Sequence, residues 1–246
     1  MIFNIPAFSS HDLATCLPIG LALISFVIYW FIAHSSRISS IIERSSPKHF
    51  QVNRIVFNRL VGFFSMGIIP FLITSLVLGF KQNAFLGLNV VSSKFLFTVF
   101  WTISLCIVVI PLAVFSAKKP KNFVNYPQIR TALWTENVFY INMISWALYL
   151  FGYELLFRGT LLFPLLPVLG YWPTIVINTA LYSATHIPKG MDETLGAIPL
   201  GIVLCVLTIE SQTIWIAFLV HVAMAWANSL TALKYHPEIH YINWRK

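Results

Sequence analysis

Residues 144–165 read ISWALYLFGYELLFRGTLLFPL. A helix over that stretch, rising about 1.5 Å per residue, reaches across the roughly 30 Å hydrocarbon core of a bilayer. The run is continuous rather than alternating, which favours a helix over a barrel strand. Two charged residues interrupt it, Glu154 and Arg158. Each costs about 2.5–3.5 kcal/mol at a bilayer centre on insertion scales, so their retention asks for an explanation.

Similar runs lie near 13–33, 60–80, 95–116, 172–187, 194–210 and 213–233. The 246 residues are 58% apolar and only 10% charged, and mean hydropathy is +0.78. A soluble domain is about 45–50% apolar and about 25% charged. The composition excludes a soluble enzyme, a disordered chain and a nucleic-acid-binding domain. It predicts an all-α polytopic transmembrane helix bundle of about seven spans, with the lipid bilayer as its first partner.

The net charge of +8 comes from 16 Lys and Arg against 8 Asp and Glu. Arg37, Arg44, Lys48, Arg54 and Arg59 fall in the interhelical segment 34–59. Lys118, Lys119, Lys121 and Arg130 fall in 117–133, and only Lys81 and Lys94 in 81–94. The positive-inside rule then puts the N-terminus outside and the tail with Lys234, Arg245 and Lys246 inside. These charges are read as setting topology and touching headgroups. With Arg37 the first basic residue, the first run is expected to stay as an anchor rather than be cleaved. Cys16, Cys106 and Cys205 lie in apolar runs without ligand spacing and read as membrane-buried packing residues. Trp101, Trp134, Trp172, Trp215 and Trp244 read as core and interfacial anchors.

Pro164, Pro167, Gly170 and Pro173 cluster in 164–173, where a turn or discontinuous helix is expected. Residues 131–143 are expected to form an interfacial helix leading into the fourth span. Pro188 and Gly190 are expected to end the helix before them. Asp192 and Glu193 then suit the start of the next one.

Polar groups inside the spans carry the functional signal. Glu154 and Arg158 are four apart and share a helical face, as do Tyr182 and His186. His221, Ala225 and Asn228 form one stripe. If the helices around 164–173 run antiparallel, Glu154 and His186 come to similar depth. One carboxylate, two imidazoles, an amide and an arginine in one intramembrane pocket would suit hydrolysis by activated water. Ion pairing for insertion and interhelical hydrogen bonding are the plainer alternatives.

Tyr153-Glu154-Leu155-Leu156-Phe157-Arg158-Gly159, then Tyr182 to His186, then the approach Ser211 to Trp215 leading to His221, resemble the CAAX-protease and bacteriocin-processing family. That family of intramembrane proteases carries Glu-Glu-x-x-x-Arg, Phe-x-x-x-His and His-x-x-x-Asn on separate helices. The resemblance covers about 140–231. It divides the chain into signature-free helices at 1–130, a catalytic region at 131–233 and a basic tail at 234–246. Tyr153 stands where the family has its first glutamate, and Ala225 where it has the asparagine, with Asn228 one turn on.

The resemblance implies an endopeptidase of a bacterial plasma membrane, acting on a membrane-associated protein or peptide. Glu154, His186, His221, Arg158 and Asn228 are its implied catalytic residues. Glu154, the surviving acid of the first motif, is the implied base, directly or through Tyr153, with His186 sharing the activation of water. Arg158 engages Glu154 as an ion-pair partner and weakens it as a base, which favours His186. His221, with Asn228, would stabilise the oxyanion. No cofactor is required, although Glu154, His186 and His221 could hold a zinc ion with an open position. Loss of the first glutamate supplies the alternative, an inactive relative serving as a membrane scaffold. A small transporter would show internal pseudo-repeats and a polar path, neither of which is evident.

Overall fold

In a computed structural model of the chain, residues 7–79 and 84–242 are described. Lys81, Trp244, Arg245 and Lys246 lie outside them. Ser9 starts the first helix, α1 (Ser10–Ala33), with a capping box closed by Asp12. The short α2 (Ser36–Ser45) is capped by Ser35. α3 (Phe50–Gly62) and α4 (Ile69–Leu78) are joined without a break by a π-helical turn, Phe63–Ile68. The segment 34–59 is therefore helical over much of its length, not a connecting loop.

α5 (Phe95–Ala117) follows, and then a loop ending in the two-residue strand β1 (Leu133–Trp134). Thr135 caps α6 (Glu136–Glu154). That helix continues through a second π-helical stretch, Leu155–Leu161, into α7 (Leu162–Leu169). No separate interfacial helix precedes the fourth span. Thr135 starts the helix early and nothing interrupts it. Pro164 and Pro167 lie within α7, and the break falls at Gly170, whose φ of +78° a side chain would resist. Pro173 sits in the first turn of α8 (Tyr171–Ala184), where no intrahelical N–H is needed. α9 (Met191–Ser211) and α10 (Trp215–Tyr235) complete the bundle, and β2 (His240–Tyr241) pairs parallel with β1.

Among the described residues six helices are long and apolar enough to cross a bilayer: Ser10–Ala33, Pro47–Leu78, Ser92–Ala117, Glu136–Leu169, Met191–Ser211 and Trp215–Tyr235. α8, with 14 residues, reaches only about 21 Å. It nevertheless reverses the chain. Lys121 pairs with Asp192 at 2.5 Å, and Asn125 reaches the Lys189 carbonyl, so the α8–α9 turn meets the α5–α6 loop. At the other end Ile214 N–H and Thr213 Oγ1 both donate to the Gly87 carbonyl. Two loop clusters at opposite ends fit alternating crossings, with α8 as the short one.

α3–α4 and α6–α7 cross where the first π-helical segment meets the end of α6, just before the second begins. A Cβ on Gly67 would stand 2.5 Å from the Gly152 Cα, so only hydrogen fits there. Beside this crossing Met66, Tyr153, Leu156, Phe157 and Tyr182 form one core cluster. Phe31, Leu96, Ile107, Leu112 and Phe115 remain exposed on α1 and α5, as a lipid-facing surface requires. Of the cysteines only Cys205 is buried; Cys16 is exposed and Cys106 intermediate.

Arg59 departs most from its expected role. It is 3% exposed and donates to the Asn142 carbonyl, Asn142 Oδ1, Ser145 Oγ and Gln128 Oε1. Its guanidinium also lies 4.8 Å from the Trp146 ring. It locks α3 and the α5–α6 loop onto α6 instead of meeting headgroups.

Candidate active site

Glu154 is the last residue of α6 and Arg158 lies within the π-helical stretch that follows; both are fully buried. A buried carboxylate is stable only with partners. His221 on α10 approaches it with Nδ1 2.7 Å from Oε1. The carboxylate beside a guanidinium is acceptor-only, so His221 Nδ1–H donates to it. On the other side Arg158 Nε stands 3.5 Å from Glu154 Oε2. That is ionic attraction without hydrogen-bond alignment: among the described residues Oε2 and Arg158 Nε and Nη2 have no hydrogen-bond partner.

His186 is placed by a different device. α8 ends at Ala184, and His186 lies in the turn beyond it rather than inside a span. The helix stops earlier than Pro188 and Gly190 imply. His186 Nδ1 is 3.0 Å from the Tyr182 carbonyl. A carbonyl only accepts, so Nδ1 carries the proton and Nε2 the lone pair. Asp192 and Glu193 do begin α9, where Glu193 pairs with Lys189 at 3.7 Å and accepts from the Tyr126 hydroxyl.

Tyr153 stands between the two imidazoles. Its ring is edge-on to His186 at 6.1 Å and to His221 at 5.6 Å. Its hydroxyl lies 2.6 Å from Thr185 Oγ1, which itself donates to the Tyr182 carbonyl at 2.7 Å. Thr185 has one proton and uses it there, so the Tyr153 hydroxyl donates to Thr185. The phenol proton is committed away from both imidazoles.

One buried residue, Asn178, completes the arrangement without having been singled out in the sequence. Arg158 Nη1 donates to its Oδ1 at 3.2 Å, and its Nδ2 donates to the Phe157 carbonyl at 2.5 Å. Cys205 Sγ also donates to Oδ1. The Tyr182 ring lies 4.4 Å from the Arg158 guanidinium carbon. The signal existed: Asn178 and Tyr182 are spaced i, i+4 on one face of α8, and His186 follows at i+8 in the turn beyond its end.

Glu154, Arg158 and His221 thus meet directly, and His186 joins them through Tyr153 and Tyr182. Asn228 does not join them. It lies seven residues beyond His221, about 10 Å along the helix, and its buried Oδ1 has no hydrogen-bond partner among the described residues. Nor do the side chains suit a metal. One Glu154 oxygen is taken by His221 and the other faces Arg158, and no three His, Cys, Asp or Glu among the described residues could share an ion.

A family model described as type II CAAX prenyl endopeptidase Rce1-like matches residues 135–227. The match begins at the cap of α6 and ends just past His221, so it encloses Glu154, Arg158, His186 and His221. No curated protein and no solved structure matches.

Proposed function

From the premise that residues 135–227 belong to the Rce1-like family of CAAX-type intramembrane proteases, we propose that this chain is an active endopeptidase. It hydrolyses a peptide bond of a membrane-associated protein or peptide, with water activated by an imidazole. A bacterial plasma membrane is its proposed setting.

The observation that carries the reading is the contrast between the two histidines flanking Tyr153. His186 is tied through Nδ1–H to a carbonyl, which orients a neutral ring with Nε2 as the acceptor for a water proton. His221 is tied through Nδ1–H to Glu154. A carboxylate partner stabilises an imidazolium, so His221 is the ring suited to carry positive charge toward the developing oxyanion. In this mechanism the proton moves from water to His186 Nε2. The oxygen adds to the peptide carbonyl, and His186 returns the proton to the leaving amine. Glu154 and Arg158 act as positioning residues, holding His221 and balancing its charge. Tyr153, in place of a second carboxylate, separates the rings and takes no proton.

No step runs through a metal, because Glu154 is occupied on both sides. Activity is therefore expected to survive exhaustive chelation.

The test uses the full chain in proteoliposomes with peptides ending in a prenylated or an unmodified CAAX-type sequence. His186→Ala and His221→Ala are each expected to lower kcat by about 10²–10⁴, with folding checked by thermal unfolding. Glu154→Gln should lower kcat and weaken the fold together, because it leaves Arg158 buried without its counter-charge. Wild-type hydrolysis undiminished in both histidine variants refutes the site. No hydrolysis of any peptide by the wild type favours the scaffold alternative.

A further inference from the structure

α1 ends at Ala33, and α2 begins at Ser36 after only two residues. A helix so close to the end of a spanning segment has to lie at the bilayer boundary. Its faces are unequal. At 100° per residue Ile38, Ile41 and Ile42 share one side, and Ser36, Ser40 and Glu43 share the other. Ile38 and Ile42 are partly covered, whereas Ile41 is 58% exposed. Arg37 and Arg44 are seven apart, fall within about 20° of each other, and flank the Ile41 edge. Both are exposed, as is Lys48 in the turn beyond. No residue of α2 is buried.

We propose that α2 is an interfacial helix that binds an anionic lipid surface. Ile41 enters the acyl boundary while Arg37 and Arg44, with Lys48, hold phosphate headgroups. The occupant follows from position and charge together. The apolar edge is too narrow for a stable protein interface, and its flanks carry cations beside a single acid, Glu43. An arginine stem lying along the apolar edge, with its guanidinium at headgroup depth, is the geometry of snorkelling. Each such cation near an anionic leaflet contributes attraction that salt screens. The inference is independent of catalysis, since α2 lies outside residues 135–227.

The test places a nitroxide label at Ile41→Cys, and separately at Ser40→Cys, in the full chain carrying Cys16→Ser and Cys106→Ala with buried Cys205 retained. Each protein is reconstituted in nanodiscs of phosphatidylcholine or of an equimolar mixture with phosphatidylglycerol. Depth is read from collision with oxygen against a soluble nickel chelate. The Ile41 label should be oxygen-accessible and deeper in the anionic bilayer, and the Ser40 label nickel-accessible in both. Arg37→Gln with Arg44→Gln, exposed positions that leave the core intact, should abolish the difference between bilayers, as should high salt. An Ile41 label open to nickel in both bilayers overturns the proposal and leaves a solvent-facing surface for a soluble protein. Equal depth in the two bilayers, or a difference that survives the double substitution, overturns it as well.

Discussion

A single buried amide governs the geometry around Glu154. Asn178 accepts a hydrogen bond from the Arg158 guanidinium, and it ties down the Phe157 carbonyl within the wider π-helical turn. Removing it frees Arg158 to rotate and leaves two buried polar groups unpaired, each costing about 1–3 kcal/mol. Asn178→Ala should therefore lower the Tm and reduce kcat with KM little changed. Asn178→Asp should retain the bond to Arg158 but compete with Glu154 for its charge, shifting the pH dependence of kcat. A pH profile identical to wild type in both variants would reduce Asn178 to packing. Its place on the Tyr182–His186 face was legible in the spacing. Its role was not, because it depends on a π-helical turn whose extra residue leaves no mark in hydropathy. The convergence of Glu154, Arg158, His186 and His221 was legible because charge in an apolar span is conspicuous. Asn228 joins them in the sequence only by helical angle and as a stand-in for the family's asparagine, and angle says nothing about the distance along the axis.

The elements are held together where they are most irregular. The first π-helical segment meets the end of α6, just before the second begins, at the crossing of α3–α4 with α6–α7, where Gly67 and Gly152 bring two backbones into contact. Gly67→Ala forces a methyl against backbone that cannot rotate away, and overpacking of this kind costs about 1–3 kcal/mol. Gly196 on α9 has open space around its Cα, so Gly196→Ala should be neutral or stabilise by about 0.5–1 kcal/mol through helix propensity. Thermal unfolding of the two variants in the same detergent checks the contrast; equal Tm changes would contradict the crossing. Span positions were readable from hydropathy, whereas such close approaches depend on which helices meet, and that is a tertiary fact. At the extramembrane end His236 follows α10 and accepts from Arg130. Burial, reinforced by Arg130 and His240 and opposed by Glu238, holds its imidazole below the usual histidine range. The unfolded segment therefore takes up a proton before the folded one does, and the closure between β1 and β2 is stable above an ordinary histidine pKa of about 6.5 and weakens as pH falls through it. Proteolysis between β2 and the end of α10 should accelerate between about pH 7.5 and about 5.5, and His236→Gln should remove that acceleration.

At the scale of the whole molecule, scarcity of charge identified the bundle, and the buried charges then mark how its parts depend on one another. The signature lies in the second half of the chain, yet the packing ignores that boundary. Arg59 on α3 has its partners Asn142 and Ser145 on α6. Val109 on α5 packs in one cluster with Leu204 on α9 and Ile216 and Val220 on α10. Met66, from the signature-free half, packs against Tyr153 and Phe157 beside the site. A fragment 131–246 expressed alone would expose these faces to one another and to lipid without their complements, and Asn142 and Trp146 would lose the guanidinium that Arg59 places between them. It should fail to give a monodisperse particle in detergent. Co-expression of 1–130 with 131–246 should restore one, because each fragment keeps whole spans and the cut falls in a loop. Association then needs only helix packing and the Arg59 hydrogen bonds to re-form. Arg59→Leu in the 1–130 fragment should weaken that association, measured as loss of co-purification. If 131–246 alone is monodisperse and unfolds at the temperature of the intact chain, the first half is a separable domain and the interdependence argued from Arg59, Met66 and Val109 is wrong.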